Sequence, residues 1–76
     1  MDWKNTIAVK YEVYRGKACF KGTRVLVSVV LDNLAAGMTI DEIVRSYPTV
    51  SAEMVHAALA YAADLAREES VSLRVA

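Results

Sequence analysis

The sequence predicts a mainly α-helical domain with a small β-arm in front of the helices. Three observations predict it. Apolar and polar residues alternate near the start of the chain, helical spacing replaces this alternation from Val27 onward, and caps and breakers divide the remainder into three helices. We expect a single domain over residues 1–76, with the β-arm at 1–26, the helices at 27–69 and a tail at 70–76.

The β-arm begins with a strand-like alternation. One side of the predicted strand carries Ile7, Val9, Tyr11 and Val13, and the other carries Ala8, Lys10, Glu12 and Tyr14. β-Branched and aromatic residues in this pattern are typical of a half-buried strand. Residues 18–20 follow as a second short strand, and Lys21 and Gly22 are typical of a turn, so we expect a β-hairpin or a loose β-arm.

The first helix is predicted over residues 27–36. Its apolar residues follow the spacing of one helical face; they are Val27, Val30, Leu31, Leu34 and Ala35. Gly37 comes next and suits the left-handed backbone position just past a helix C-terminus, so we expect the helix to end there.

The second helix is predicted over residues 39–47. Thr39 and Glu42 have the spacing of a capping box, in which each side chain bonds the backbone amide of the other residue. Pro48 cannot continue the helix and therefore ends it.

The third helix is predicted over residues 51–69, with Ser51 as its N-cap. The expected buried face comprises Val55, Ala58, Leu59, Ala62, Leu65 and Ala66. Ala57, Ala60 and Ala63 are expected on the outside, where another helix could approach closely. In the tail at 70–76, apolar residues alternate with Ser and Arg, which is compatible with a short last strand.

Charge is unevenly distributed, although the formal net charge is zero. The first 24 residues contain six basic and two acidic side chains, a balance of +4, and the remaining 52 contain three basic and seven acidic ones, a balance of −4. Separated charge of this kind is typical of a surface that meets polyanions or a complementary partner, and the alternative is an ordinary solvated surface.

Composition bears on assembly and location. Apolar residues make up 55% of this small chain, more than it can bury alone, so we expect a homodimer or a higher oligomer. The single cysteine cannot form an internal disulfide, no secretory signal pattern is visible, and no apolar stretch is long enough to span a bilayer. We therefore expect a cytoplasmic protein without membrane contact.

The second and third helices, joined by a short turn, have the spacing of a helix-turn-helix, and the first helix completes a homeodomain-like unit. The third helix is poor in the Arg, Lys, Asn and Gln side chains that read bases, so we expect the β-arm to supply most phosphate contacts. The candidate nucleic-acid-binding residues are Arg15, Lys17, Lys21, Arg24, Ser51 and His56. Arg24 has a second interpretation, in which its guanidinium attaches the arm to a helix.

Enzymatic activity, a cofactor and a metal are not expected. His56 is the single histidine, and it has no neighbouring Cys or second His with which to hold a metal. The sequence shows no nucleophile–base pair or phosphate-binding glycine loop, and helix capping accounts for the adjacent acids Asp41 and Glu42.

Several segments resemble one known family in order and spacing. They are residues 16–25 (GKACFKGTRV), 27–31 (VSVVL), 34–43 (LAAGMTIDEI), 47–48 (YP) and 55–61 (VHAALAY). Over roughly Tyr11 to Glu69 the chain resembles the domain-of-unknown-function 433 family. The family usually has proline where this chain has Ala18 and Leu26, which implies a looser arm here.

The resemblance implies a small prokaryotic domain with a homeodomain-like helix-turn-helix. Several members are encoded beside PIN-like toxin genes and are regarded as antitoxins of the VapBC type. It therefore implies an antitoxin that neutralises a ribonuclease toxin and a regulator that represses its own operon through double-stranded operator DNA. The alternative is a dimeric protein-interaction module that does not bind DNA.

Overall fold

A two-stranded hairpin precedes three helices. The structure of the protein is a computed structural model that describes residues 2–9 and 17–75, with side chains described for 2–8 and 17–67. The elements in chain order are a 3-10 turn at Trp3–Asn5, strands β1 (Ile7–Val9) and β2 (Ala18–Phe20), and helices α1 (Val27–Ala35), α2 (Ile40–Ser46) and α3 (Ala52–Val75). The predicted mainly α-helical fold with a small β-arm is confirmed.

The hairpin is antiparallel and is attached to the first helix. Ile7 pairs with Phe20 and Ala8 with Cys19, while Cys19 also forms a bridge to Leu26, just before α1. Gly22 adopts φ +77° in the turn after β2, a backbone conformation that favours glycine. β2 therefore lies between β1 and the start of α1. Residues 10–16, which include most of the predicted continuation of the first strand, lie outside the described residues.

α1 ends in the hydrogen-bond pattern of a Schellman motif. Gly37 has φ +100°, as its position after the helix predicts. Its amide donates to the carbonyl of Leu34 at 3.0 Å, and the amide of Met38 donates to the carbonyl of Asn33 at 3.0 Å. These bonds satisfy carbonyls that the helix end leaves open, and they turn the chain toward α2.

Side-chain caps begin α2 and α3. The predicted capping box is confirmed: Thr39 Oγ1 accepts from the amide of Glu42 at 3.1 Å, and Glu42 Oε1 accepts from the amide of Thr39 at 2.9 Å. Ser51 Oγ accepts from the amide of Met54 at 3.2 Å, as expected of an N-cap. The segment 47–51 between the two helices includes Pro48, where α2 cannot continue.

The last helix differs from its prediction. α3 continues to Val75, so the prediction of a strand in the tail at 70–76 is wrong. No glycine or proline occurs after Ser51, and a helix that has nucleated extends until something stops it. Alternation of apolar residues in so short a segment does not outweigh this tendency.

The buried face of α3 also differs in part. Val55 and Ala58 are buried as predicted, but Ala57, expected on the outside, is fully buried. Leu59 and Leu65, expected inside, are 42% and 43% exposed. α3 contacts α1, α2 and the 3-10 turn, so its first half buries a wide arc while other parts of its surface remain uncovered.

The core lies where the hairpin meets the helices. Its largest fully buried side chains are Phe20, Val27, Val30, Ile43, Val50 and Val55. Phe20 belongs to the same apolar cluster as residues of all three helices, and β2 contacts α1 directly, so the hairpin is attached to the helical body.

Candidate nucleic-acid interface

The predicted cations of the arm lie at both ends of β2. Lys17 immediately precedes the strand, while Lys21 and Arg24 follow it in the segment that leads to α1. All three are exposed, and within the described part of the chain none of them forms an ion pair with an acidic side chain. Arg15, the fourth predicted cation, lies outside the described residues.

Lys21 is held close to Lys4, a residue that the sequence did not single out as a site residue. The Nζ of Lys21 donates to the carbonyl oxygen of Lys4 at 2.9 Å, and its amide donates to the carbonyl of Thr6 at 2.8 Å. Lys4 is itself exposed, so this end of the hairpin carries two cations. A phosphate anion is attracted to both of them.

The 3-10 turn that carries Lys4 is attached to the middle of α3. The indole Nε1–H of Trp3 donates to Asp64 Oδ2 at 2.6 Å, and the Trp3 ring packs edge-to-face on Tyr61 with ring centroids 4.8 Å apart. The second oxygen of Asp64 accepts from Arg67, one turn further along the helix. We call Trp3, Tyr61 and Asp64 the tryptophan clamp. It places the Lys4 and Lys21 end of the hairpin beside α3.

Lys17 has different surroundings from Lys21. It lines a cavity of about 410 Å³ between α1 and α3, which we call the α1–α3 groove. The remaining lining residues are Ala18, Val27, Ser28, Leu31, Tyr61 and Leu65. Nearly all of this surface is apolar, so Lys17 is a cation at the edge of an apolar depression.

Ser51 and His56 lie at the beginning of α3. Ser51 is occupied as the N-cap, whereas His56 is exposed on the first turns of the helix. Tyr61, in the tryptophan clamp, comes ten residues after Ser51 and five after His56, which corresponds to about 8–15 Å along a helix axis. The predicted site residues therefore fall into two groups, one at the hairpin and one at the start of α3.

The two groups differ in electrostatic character. The hairpin end presents Lys4, Lys21 and Arg24, whereas the exposed Glu53 lies in the first turn of α3. Phosphate oxygens are attracted to the first surface and repelled by a carboxylate on the second. The hairpin is therefore the better candidate for phosphate contact, and the start of α3 offers at most hydrogen bonds.

Among the residues that the structure describes, one titratable group has a displaced pKa. The pKa of Glu42 is lowered from its ordinary value of 4.5, first by the backbone amide of Thr39 and then by the Thr39 side chain, with a smaller contribution from Arg45. This carboxylate serves the capping box of α2, and a helix N-terminus favours negative charge. Its shift therefore reports helix capping and not a reactive site.

Comparison with known proteins identifies the family to which the chain belongs. The profile of the family described as DUF433, proteins of unknown function, matches residues 7–62, about three quarters of the chain. The chain belongs to the DUF433 family. The match includes the hairpin, α1 and α2, while Trp3 and Asp64 of the tryptophan clamp lie outside it. Searches of curated proteins and of solved structures found no match. Among the described residues, no helix combines the length and the apolar character needed to cross a bilayer.

Proposed function

We propose that this DUF433 protein is a non-enzymatic DNA-binding regulator of the antitoxin type, which binds operator phosphates through its hairpin cations. The observation that carries the proposal is the exposure of Lys21 and Arg24 without an acidic partner among the described residues. A cation that no carboxylate neutralises remains available to a phosphate, and release of counterions from DNA then favours binding.

The helices supply a frame of the kind that DNA-binding domains use. α2 and α3 are joined by the short segment 47–51, and α1 packs against both, which supports a helix-turn-helix of the homeodomain-like kind. The start of α3 carries Ser51 and His56 but also Glu53. We therefore expect phosphate contacts from the hairpin to dominate the affinity, with little base-specific readout from α3.

A mobility-shift assay with DNA from upstream of the native gene tests DNA binding. The wild-type protein is expected to shift this DNA, and Lys21→Ala combined with Arg24→Ala is expected to weaken the shift. Arg45→Ala is the control because Arg45 is an exposed cation that belongs to α2 and not to the hairpin. Equal weakening by the double variant and by the control would contradict a specific role of the hairpin.

The antitoxin role has its own test. A PIN-like ribonuclease encoded beside the gene is the expected toxin, and co-expression is expected to yield a stable complex and to suppress the ribonuclease activity. We propose that the toxin contacts a surface other than the hairpin, so toxin binding is expected to persist in the Lys21→Ala and Arg24→Ala variant. Failure of co-expressed proteins to associate would remove the antitoxin part of the proposal and leave DNA binding in place.

A second candidate function is a dimeric protein-interaction module without a nucleic-acid role. The apolar α1–α3 groove and the acidic start of α3 favour it, because both suit protein contacts better than phosphates. A stable complex with the neighbouring gene product, together with no salt-sensitive DNA shift, would support this candidate over the first.

A further inference from the structure

We propose that the α1–α3 groove is the contact surface of a symmetric homodimer, in which Leu65 of each copy enters the groove of the other. The inference concerns the groove and the exposed surface of α3. It does not depend on whether the protein binds DNA.

The surface around the groove contains both a projection and a depression. Leu65 is 43% exposed and borders a cavity of about 410 Å³ whose walls include Leu31 and Tyr61. A two-fold contact brings the same patch of both copies together, so the patch must complement itself. One copy's Leu65 can enter the apolar groove of the other, and the reverse holds by symmetry.

The charges near the groove also favour contact between two copies of the chain. Lys17 lies at its edge and has no acidic partner among the described residues. In the sequence, Glu68 and Glu69 follow Leu65 by about one helical turn on α3. When two copies of α3 cross antiparallel at Leu65, the backbone positions that follow Leu65 in one copy come beside Tyr61 of the other, which lines the groove with Lys17. A second copy therefore brings acidic positions toward Lys17, for which the described residues provide no acidic partner.

The occupant that the self-complementary patch and the charges around it favour is a second copy of the chain.

Two glutamate substitutions on α3 form a matched test. Leu59 and Leu65 have the same side chain and nearly the same exposure, but six residues place them about 120° apart around the helix. Leu65→Glu puts a charge into the proposed contact, and Leu59→Glu puts it elsewhere on the same helix. Because both positions are already exposed, both variants are expected to fold, which circular dichroism verifies.

Sedimentation equilibrium over a range of protein concentrations gives the readout. The wild-type chain is expected to reach twice its 8.3 kDa mass, and Leu59→Glu to behave like it. Leu65→Glu is expected to raise the dissociation constant about 100-fold or more, since a carboxylate is costly to bury against the apolar walls of the groove. Lys17→Glu is expected to weaken the dimer as well, by a smaller factor.

Two outcomes would overturn the inference. One is a wild-type chain that stays monomeric at hundreds of micromolar, and the other is equal weakening by Leu59→Glu and Leu65→Glu. A monomeric chain that still shifts DNA would refute the dimer and preserve the proposed function. A dimer that Leu65→Glu disrupts and that binds no DNA would support the dimer and refute the proposed function.

Discussion

Replacement of Trp3 tests whether the tryptophan clamp holds the hairpin on α3. Trp3→Phe keeps an aromatic ring against Tyr61 but removes the N–H that donates to Asp64. Hydrogen bonds to charged groups are worth about 1.5–3 kcal/mol, and the Asp64 side chain is 44% exposed, so the lower part of this range applies. We expect a loss of about 1–2 kcal/mol in the free energy of unfolding.

Trp3→Ala should cost more because the ring contact is lost as well. An edge-to-face aromatic pair is worth about 0.5–1.5 kcal/mol, which raises the expected loss to about 2–3 kcal/mol. Urea unfolding at one fixed protein concentration measures both variants. With a slope of about 1 kcal/mol per molar urea for so small a domain, the midpoint should fall by about 1–2 M for Trp3→Phe.

A double-mutant cycle separates the hydrogen bond from other effects of the substitution. Trp3→Phe and Asp64→Asn are expected to be non-additive by about 1 kcal/mol, since each removes part of the same interaction. Hydrogen exchange of amides 61–67 should accelerate in both single variants. Losses below about 0.5 kcal/mol, which is ordinary for surface substitutions, together with full additivity, would refute the role of the clamp.

Three other substitutions test the fold. Phe20→Ala removes the largest fully buried side chain and should cost about 3–5 kcal/mol in urea unfolding; a cost under about 1 kcal/mol would contradict its central position. Gly37→Ala meets no atom within 4 Å of the added Cβ, so its cost should be the backbone strain at φ +100°, about 1–2 kcal/mol, and an unchanged midpoint would contradict this. The lowered pKa of Glu42 makes its contribution to stability complete above pH 4.5 and lost as pH falls through the folded-state value. Glu42→Gln should therefore reduce the acid sensitivity of unfolding, and an unchanged pH profile would refute this assignment.

Local signals predicted much of the fold. The capping box of Thr39 and Glu42, the N-cap Ser51, and Gly37 after α1 all act through backbone amides within a few residues. Interactions between residues so close in the chain can be predicted from the sequence because spacing alone determines the partners. The strand at β1 was likewise predicted from alternation, and the turn after β2 from Lys21 and Gly22.

Long-range contacts were not predictable in the same way. Trp3 and Asp64 are 61 residues apart, and nothing local to either residue indicates the other. Helical spacing places Leu59 and Leu65 on an apolar face, but their burial depends on which elements reach that part of α3. Ala57 is buried because the start of α3 contacts more than one neighbouring element.

In the candidate site, too, local features were predictable from the sequence and long-range contacts were not. The sequence identified Lys17, Lys21 and Arg24 as candidate nucleic-acid-binding residues, and the structure places all three on the surface. Charge counts along a chain do not reveal that Lys21 reaches the carbonyl of Lys4, or that Lys17 borders an apolar groove. Those placements depend on strand register and on packing against α3. They divide one predicted basic cluster into two environments.

The salt dependence of DNA affinity tests the central claim most directly. Fluorescence anisotropy with labelled upstream DNA is measured over a series of salt concentrations for the wild-type chain and for Lys21→Ala combined with Arg24→Ala. Each phosphate contact contributes about 0.9 to the slope of log affinity against log salt, so the double variant should have a slope smaller by about 1.8 per protomer. Binding that is insensitive to salt, or a slope that both proteins share, would contradict phosphate recognition by the hairpin.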